Sequence, residues 1–71
     1  MEVTELKDDY FNSIGYDDTN KQLHVRFQSG RYVIYYEVRK SEYLGLISNN
    51  QTKKFFQEEI EPAFPHDVVN E

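Results

Sequence analysis

Apolar and polar residues alternate between Ser13 and Val38, and this period of two constrains the chain more than any other feature of its sequence. Such alternation suits a strand with one buried face and one wet face, not a helix. Ser13-Ile14-Gly15-Tyr16-Asp17 reads as a short strand, and Asp18-Thr19-Asn20-Lys21 as a polar loop suited to a type I turn hairpin. Gln22 to Gln28 is the clearest strand. Ser29-Gly30 then reads as a two-residue turn in which Gly30 supplies the positive φ, followed by a third strand from Arg31 to Val38. No helical crossover separates these strands, so the expected sheet is an antiparallel meander.

The pattern also sets an expected register. A two-residue turn opposes Phe27 to Tyr32, Val25 to Ile34 and Leu23 to Tyr36, while the first loop opposes Tyr16 to Leu23 and Ile14 to Val25. Both hairpins then share one apolar face: Ile14, Tyr16, Leu23, Val25, Phe27, Tyr32, Ile34, Tyr36 and Val38. A slip of one residue turns a whole strand inside out, so the agreement is informative.

After Val38 the period becomes helical. Tyr43, Leu44, Leu46 and Ile47 form an apolar stripe on a helix from Arg39 or Ser41 to Ser48, which Gly45 weakens. Asn49 and Asn50 suit both the end of that helix and the cap of a second, in which Phe55, Phe56 and Ile60 face inward and Pro62 stops propagation. The expected fold is α+β: a three-stranded antiparallel meander followed by two short helices packed on one sheet face. The expected domain spans 11–64, with polar ends at 1–10 and 65–71 that fray.

At 71 residues and 8.5 kDa there is room for one core, and without cysteine it must be held by apolar burial alone. Six Tyr and five Phe supply much of the area. The start of the chain is acidic and has no apolar run of the kind a secretory signal needs, and no stretch is long enough to span a bilayer. A soluble, cytoplasmic protein with no membrane partner is expected.

Ser13-Ile14-Gly15-Tyr16-Asp17, Leu23 to Gly30, Tyr35-Tyr36-Glu37-Val38, Phe55-Phe56-Gln57 and Ile60 together resemble the KTSC domain, named from the C-terminus of some lysyl-tRNA synthetases and found also as a lone bacterial protein. The resemblance runs from Ser13 to Phe64. It implies a small unit of unknown function for which RNA binding has been suggested. Three positions depart from the family pattern. Its central Tyr-x-Tyr falls on Val33-Ile34-Tyr35, its proline after the last strand on Arg39, and its Ser-x-Gly on Gln51-Thr52-Lys53.

The second face of the sheet holds the candidate chemistry. In the expected register Gly15, His24 and Tyr35 form one row, and Ser13, Arg26 and Val33 the next, with Gln28 and Arg31 beyond. An exposed tyrosine, a histidine and two arginines beside a glycine gap suit base stacking with cations for phosphate. The same residues also read as a solvated face on which Tyr35 packs over His24 or the stem of Arg26. Charge is divided unevenly: the net of −5 splits into +5 over Thr19 to Gln57 and −10 over the remainder. The basic centre favours a polyanion, and the acidic ends favour solubility and weaken such binding.

Catalysis is not expected. His24 and His66 are the only histidines, Cys is absent, the three glycines form no phosphate loop, and Glu58, Glu59 and Glu61 read as the wet face of the last helix. No metal and no cofactor are expected. The function read from the sequence is a non-catalytic binding module for RNA or single-stranded nucleic acid through Tyr35, His24, Arg26, Arg31, Lys53 and Lys54. The alternative is a module that binds a protein or itself through an outer strand.

Overall fold

The computed structural model describes residues 1–6 and 8–70. A five-stranded antiparallel sheet has its strands in chain order: β1 (Glu2–Glu5), β2 (Phe11–Asp17), β3 (Gln22–Phe27), β4 (Tyr32–Tyr35) and β5 (His66–Asn70). Between β4 and β5 run α1 (Lys40–Ser48) and α2 (Thr52–Phe55), and α2 continues into one π-helical turn over Phe56–Ile60. The α+β class and the two helices are as expected, but the sheet has five strands and not three. The segments expected to flank the sheet supply its two outer strands, so the strands at Ser13 and Arg31 are interior and not edges.

β2 and β3 pair as the alternation predicts, with Ile14 opposite Val25, Tyr16 opposite Leu23 and Asp17 opposite Gln22. Asp17 fixes the loop between them. Its carboxylate accepts from the Thr19 and Asn20 amides at 3.1 and 3.3 Å and from the Asn20 side chain at 2.9 Å. These donors hold the Asp17 carboxyl below its ordinary range, the Asn20 side chain contributing most.

The β3–β4 hairpin departs from expectation by one residue. The Phe27 amide donates to the Arg31 carbonyl at 2.9 Å and the Gly30 amide to the Phe27 carbonyl at 3.0 Å, so the loop is Gln28-Ser29-Gly30 with Gly30 at φ 96°. A type I turn followed by a glycine of positive φ is the common three-residue hairpin loop. The added residue slides β4 by one place: Val25 opposes Val33, and Leu23 opposes Tyr35. Val33 and Tyr35 therefore enter the core, whereas Tyr32, Ile34 and Tyr36 are half-buried on the opposite face. Val38 is nevertheless inward as expected. Glu37 takes a left-handed φ of 60°, which resets the alternation after β4. Val38 is then tied to both sides of the first hairpin, since its carbonyl accepts from the Tyr16 hydroxyl at 2.6 Å and its amide donates to Lys21 at 2.9 Å.

Both helices cover the face that carries Ile14, Tyr16, Leu23, Val25, Val33 and Tyr35. From α1, Tyr43 stacks on Tyr16 at 5.5 Å between centroids, and its hydroxyl shares a 2.8 Å hydrogen bond with Thr4 of β1. Gly45 is required by close packing, because a Cβ there would sit 3.2 Å from the Phe55 ring. From the second helix, Phe56 meets the rings of Phe11, Phe27 and Tyr35 at 5.3 to 5.8 Å. The π turn keeps Phe56 and Ile60 both fully buried and closes with the Glu61 amide bonded to the Phe56 carbonyl at 2.9 Å. No helix among the described residues is long and apolar enough to cross a membrane.

Gly30→Ala separates backbone strain from packing, because a Cβ at this position meets nothing within 4 Å. It is expected to cost about 1–2 kcal/mol through the left-handed φ alone, read as a lower urea midpoint with an unchanged slope.

Candidate nucleic-acid interface

β3 and β4 place the candidate residues on two sides of the sheet. On the helix-free face, Arg26 pairs with Tyr32 across the strands and its guanidinium lies 4.2 Å above the Tyr32 ring centroid. The Tyr32 hydroxyl hydrogen-bonds His24 Nδ1, and His24 Nε2 lies 3.2 Å from Gln22 Oε1. Gln22 Oε1 only accepts, so Nε2 carries the proton and Nδ1 accepts from the phenol. Partial burial pushes the His24 pKa below its ordinary value of 6.5, opposed by the charge of Asp17 and assisted by that of Arg26. The imidazole is thus a neutral strut that holds the tyrosine ring flat beneath the arginine.

Arg31 extends this site. It lines a depression of about 190 Å³ with Arg26, Tyr32, Asn12 and Gly30 at the turn end of the face. Two guanidiniums, a tyrosine ring and an amide there form a cationic, stackable surface. The other end is acidic, with Asp67 opposite Ile34 in the register and accepting from the Tyr36 hydroxyl at 3.0 Å.

Three expectations are corrected. Tyr35 is 3% exposed on the helix-covered face, not beside His24, because of the one-residue slide of β4. Tyr32 occupies the place assigned to it. The glycine gap is closed: a Cβ on Gly15 would meet the Glu2 carbonyl and Val3 side chain of β1 at 3.3 Å. Lys53 and Lys54 project from α2 on the helical layer, away from His24 and Arg26, and Lys53 Nζ lies 4.7 Å from the centroid of the Tyr10 ring.

A second concavity opens on the helix-covered side. It encloses about 340 Å³ between Tyr10, Phe27, Tyr35 and His66, with Asp9, Ser29, Arg31, Val33 and Glu61 completing its walls. Burial, reinforced by the charge of Glu61 and opposed by Arg31, pushes the Tyr35 phenol up to about 12. It stays protonated at any physiological pH. No group of three His, Asp or Glu among the described residues is placed to hold a metal ion.

Comparison with known proteins agrees with this architecture. The KTSC domain model matches residues 8–64. The chain belongs to the KTSC domain family. A crystal structure of a KTSC domain protein from Yersinia pestis superimposes with a TM-score of 0.90, at 22% identity over 97% of each chain. That likeness extends the shared fold through β1 and β5, beyond the stretch of motifs. No curated protein matches the sequence.

The depressed His24 pKa implies a pH dependence of defined sign. The unfolded chain binds a proton near pH 6.5 that the folded state resists, so stability is lost as pH falls through that value and is retained above it. The His24 ring resonances are expected to titrate with a midpoint below 6.5. His24→Gln is expected to flatten the dependence of the urea midpoint on pH between about 5 and 7, the range where an ordinary histidine titrates.

Proposed function

We propose that this KTSC protein is a non-catalytic module that binds single-stranded nucleic acid, RNA in preference to DNA, on the helix-free face of its sheet at the turn end of β3 and β4. The observation that carries this reading is the Arg26 guanidinium stacked on a Tyr32 ring whose hydroxyl is fixed by His24. Arginine planes and aromatic rings on an open antiparallel sheet are surfaces on which unpaired bases stack. Arg31 beside the same depression supplies a second cation for phosphate, and Asp67 at the opposite end directs the strand toward the turn. Lys53 and Lys54 fall outside this surface and are left to a longer strand that passes around the turn.

Fluorescence anisotropy with labelled oligouridylate tests the reading. Binding is expected at low ionic strength, weakening with a log–log salt slope of about −1.4 for two phosphate contacts on a single strand. Tyr32→Ala is expected to cost about 1–3 kcal/mol of binding, and Arg26→Ala to lower both affinity and slope. No binding at low salt, or binding indifferent to Arg26 and Tyr32, would rule the reading out.

Self-association through a strand edge is the second reading. It favours β5, where Val69 is 52% exposed, over β1, whose Val3 is 57% exposed but stands between Glu2 and Glu5. A monomeric sedimentation mass at millimolar concentration would count decisively against it.

A further inference from the structure

The cleft on the helix-covered side has a construction of its own. Asp8 Oδ1 accepts from the Tyr10 and Phe11 amides at 2.7 Å each, and the Gln28 amide donates to the Tyr10 carbonyl at 2.9 Å. The Gln28 side chain adds bonds of 3.1 Å to the carbonyls of Asp8 and Phe11. The segment that carries Asp9 and Tyr10 is therefore tied to the β3–β4 turn that carries Phe27, Ser29 and Arg31. Opposite them, the π turn ends at Glu61 and brings this carboxylate to the cleft while Ile60 stays in the core. Single π turns are often found where a helix serves a site. The cavity is preformed, and its volume of about 340 Å³ lies within the ordinary range for small-ligand sites.

Its walls define the ligand. Tyr10, Phe27, Tyr35 and His66 present rings, which favours a planar π system over an aliphatic one. Asp9 and Glu61 accept hydrogen bonds only, whereas Arg31 only donates. A ring that satisfies both needs paired donors on one edge and paired acceptors on another. Guanine has this arrangement: N1–H and the N2 amino group can bridge to a carboxylate, and O6 with N7 can receive a guanidinium fork. Adenine, cytosine and uracil each lack one of the two edges.

We propose that this cleft is a guanine-binding site, reached from the side of β4 opposite the sheet-face surface and sharing Arg31 with it, with Glu61 reading the Watson–Crick edge, Arg31 the acceptor edge and Tyr10 with His66 the ring. The site takes a guanine mononucleotide or an unpaired guanine of a strand. A mononucleotide is the probe that isolates it.

The test is an NMR titration of the labelled full-length protein with 5′-GMP, with AMP, CMP, UMP and inorganic phosphate run in parallel. GMP is expected to shift the amides of Tyr10, Ser29, Arg31, Tyr35 and His66 saturably, with an affinity about tenfold or more above that of AMP, the usual discrimination of a bidentate base contact. Glu61→Gln is expected to weaken GMP about tenfold while leaving AMP unchanged. Equal responses to all four mononucleotides, shifts reproduced by phosphate alone, shifts confined to Arg26 and Tyr32, or no saturable shift would each overturn the proposal. The oligouridylate experiment contains no guanine and is read at Arg26 and Tyr32, which lie outside the cleft, so the two readings fail distinguishably although Arg31 borders both surfaces.

Discussion

Everything on this protein's two faces depends on the turn at Gln28-Ser29-Gly30. With two residues in the loop, Tyr32, Ile34 and Tyr36 would enter the core and Val33 and Tyr35 would face solvent. With three, the reverse holds. The side chains of β4 do not choose between these registers, because Tyr, Val, Ile, Tyr and Tyr in succession are apolar on both sides. The choice is made by the backbone. Gly30 accepts the positive φ that closes a three-residue loop at little cost, and the Phe27 and Arg31 main chains then pair.

That distinction explains how much of the molecule could be read from sequence. The β2–β3 pairing was legible because Ile14, Tyr16, Leu23 and Val25 alternate with polar neighbours, so only one register buries them, and Asp17 marks the loop. Helix α1 was legible from the spacing of Tyr43 and Leu46, and the second helix from Phe56 and Ile60. The face of β4 was not, since alternation carries no information when both faces are apolar. Nor were β1 and β5. Glu2-Val3-Thr4-Glu5 and His66-Asp67-Val68-Val69 have the composition of solvated ends, and what recruits them is the open backbone edge of β2 and β4, with the Thr4 to Tyr43 hydrogen bond. An outer strand needs to bury only one flank, so its sequence can stay polar.

The uneven charge distribution acquires a different meaning once folded. Read along the chain, a basic centre stands between acidic ends. In three dimensions Lys40 pairs with Glu2 from the acidic start, Lys21 with Asp18 and Arg39 with Glu42, all at the surface where such pairs contribute little to stability. The basic centre is thus not one surface. Arg26 and Arg31 gather at the β3–β4 turn, while Lys53 lies over Tyr10 on the helical layer, and only the first pair sits on an open sheet. The candidate interface was half legible: Arg26 and His24 follow from the β2–β3 register, but their tyrosine is Tyr32 because the slide of β4 exchanges it for Tyr35.

The same exchange creates the cleft. Its walls come from residues 9, 10, 27, 29, 31, 33, 35, 61 and 66, which no local pattern unites. They converge because Tyr35 turns inward at the place where β5 begins and the π turn ends, with its ring 5.2 Å from His66 and 5.5 Å from Phe56. Arg31 lies at the pivot and lines both the cleft and the sheet-face depression. A strand apolar on both sides is costly to leave half uncovered in a chain of 71 residues. Here one side is buried beneath Phe56 and the other is capped by an arginine and a histidine that leave the tyrosine ring partly open. The features that make β4 ambiguous as sequence are therefore those that set Tyr32 beside Arg26 on one face and Tyr35 beside His66 on the other.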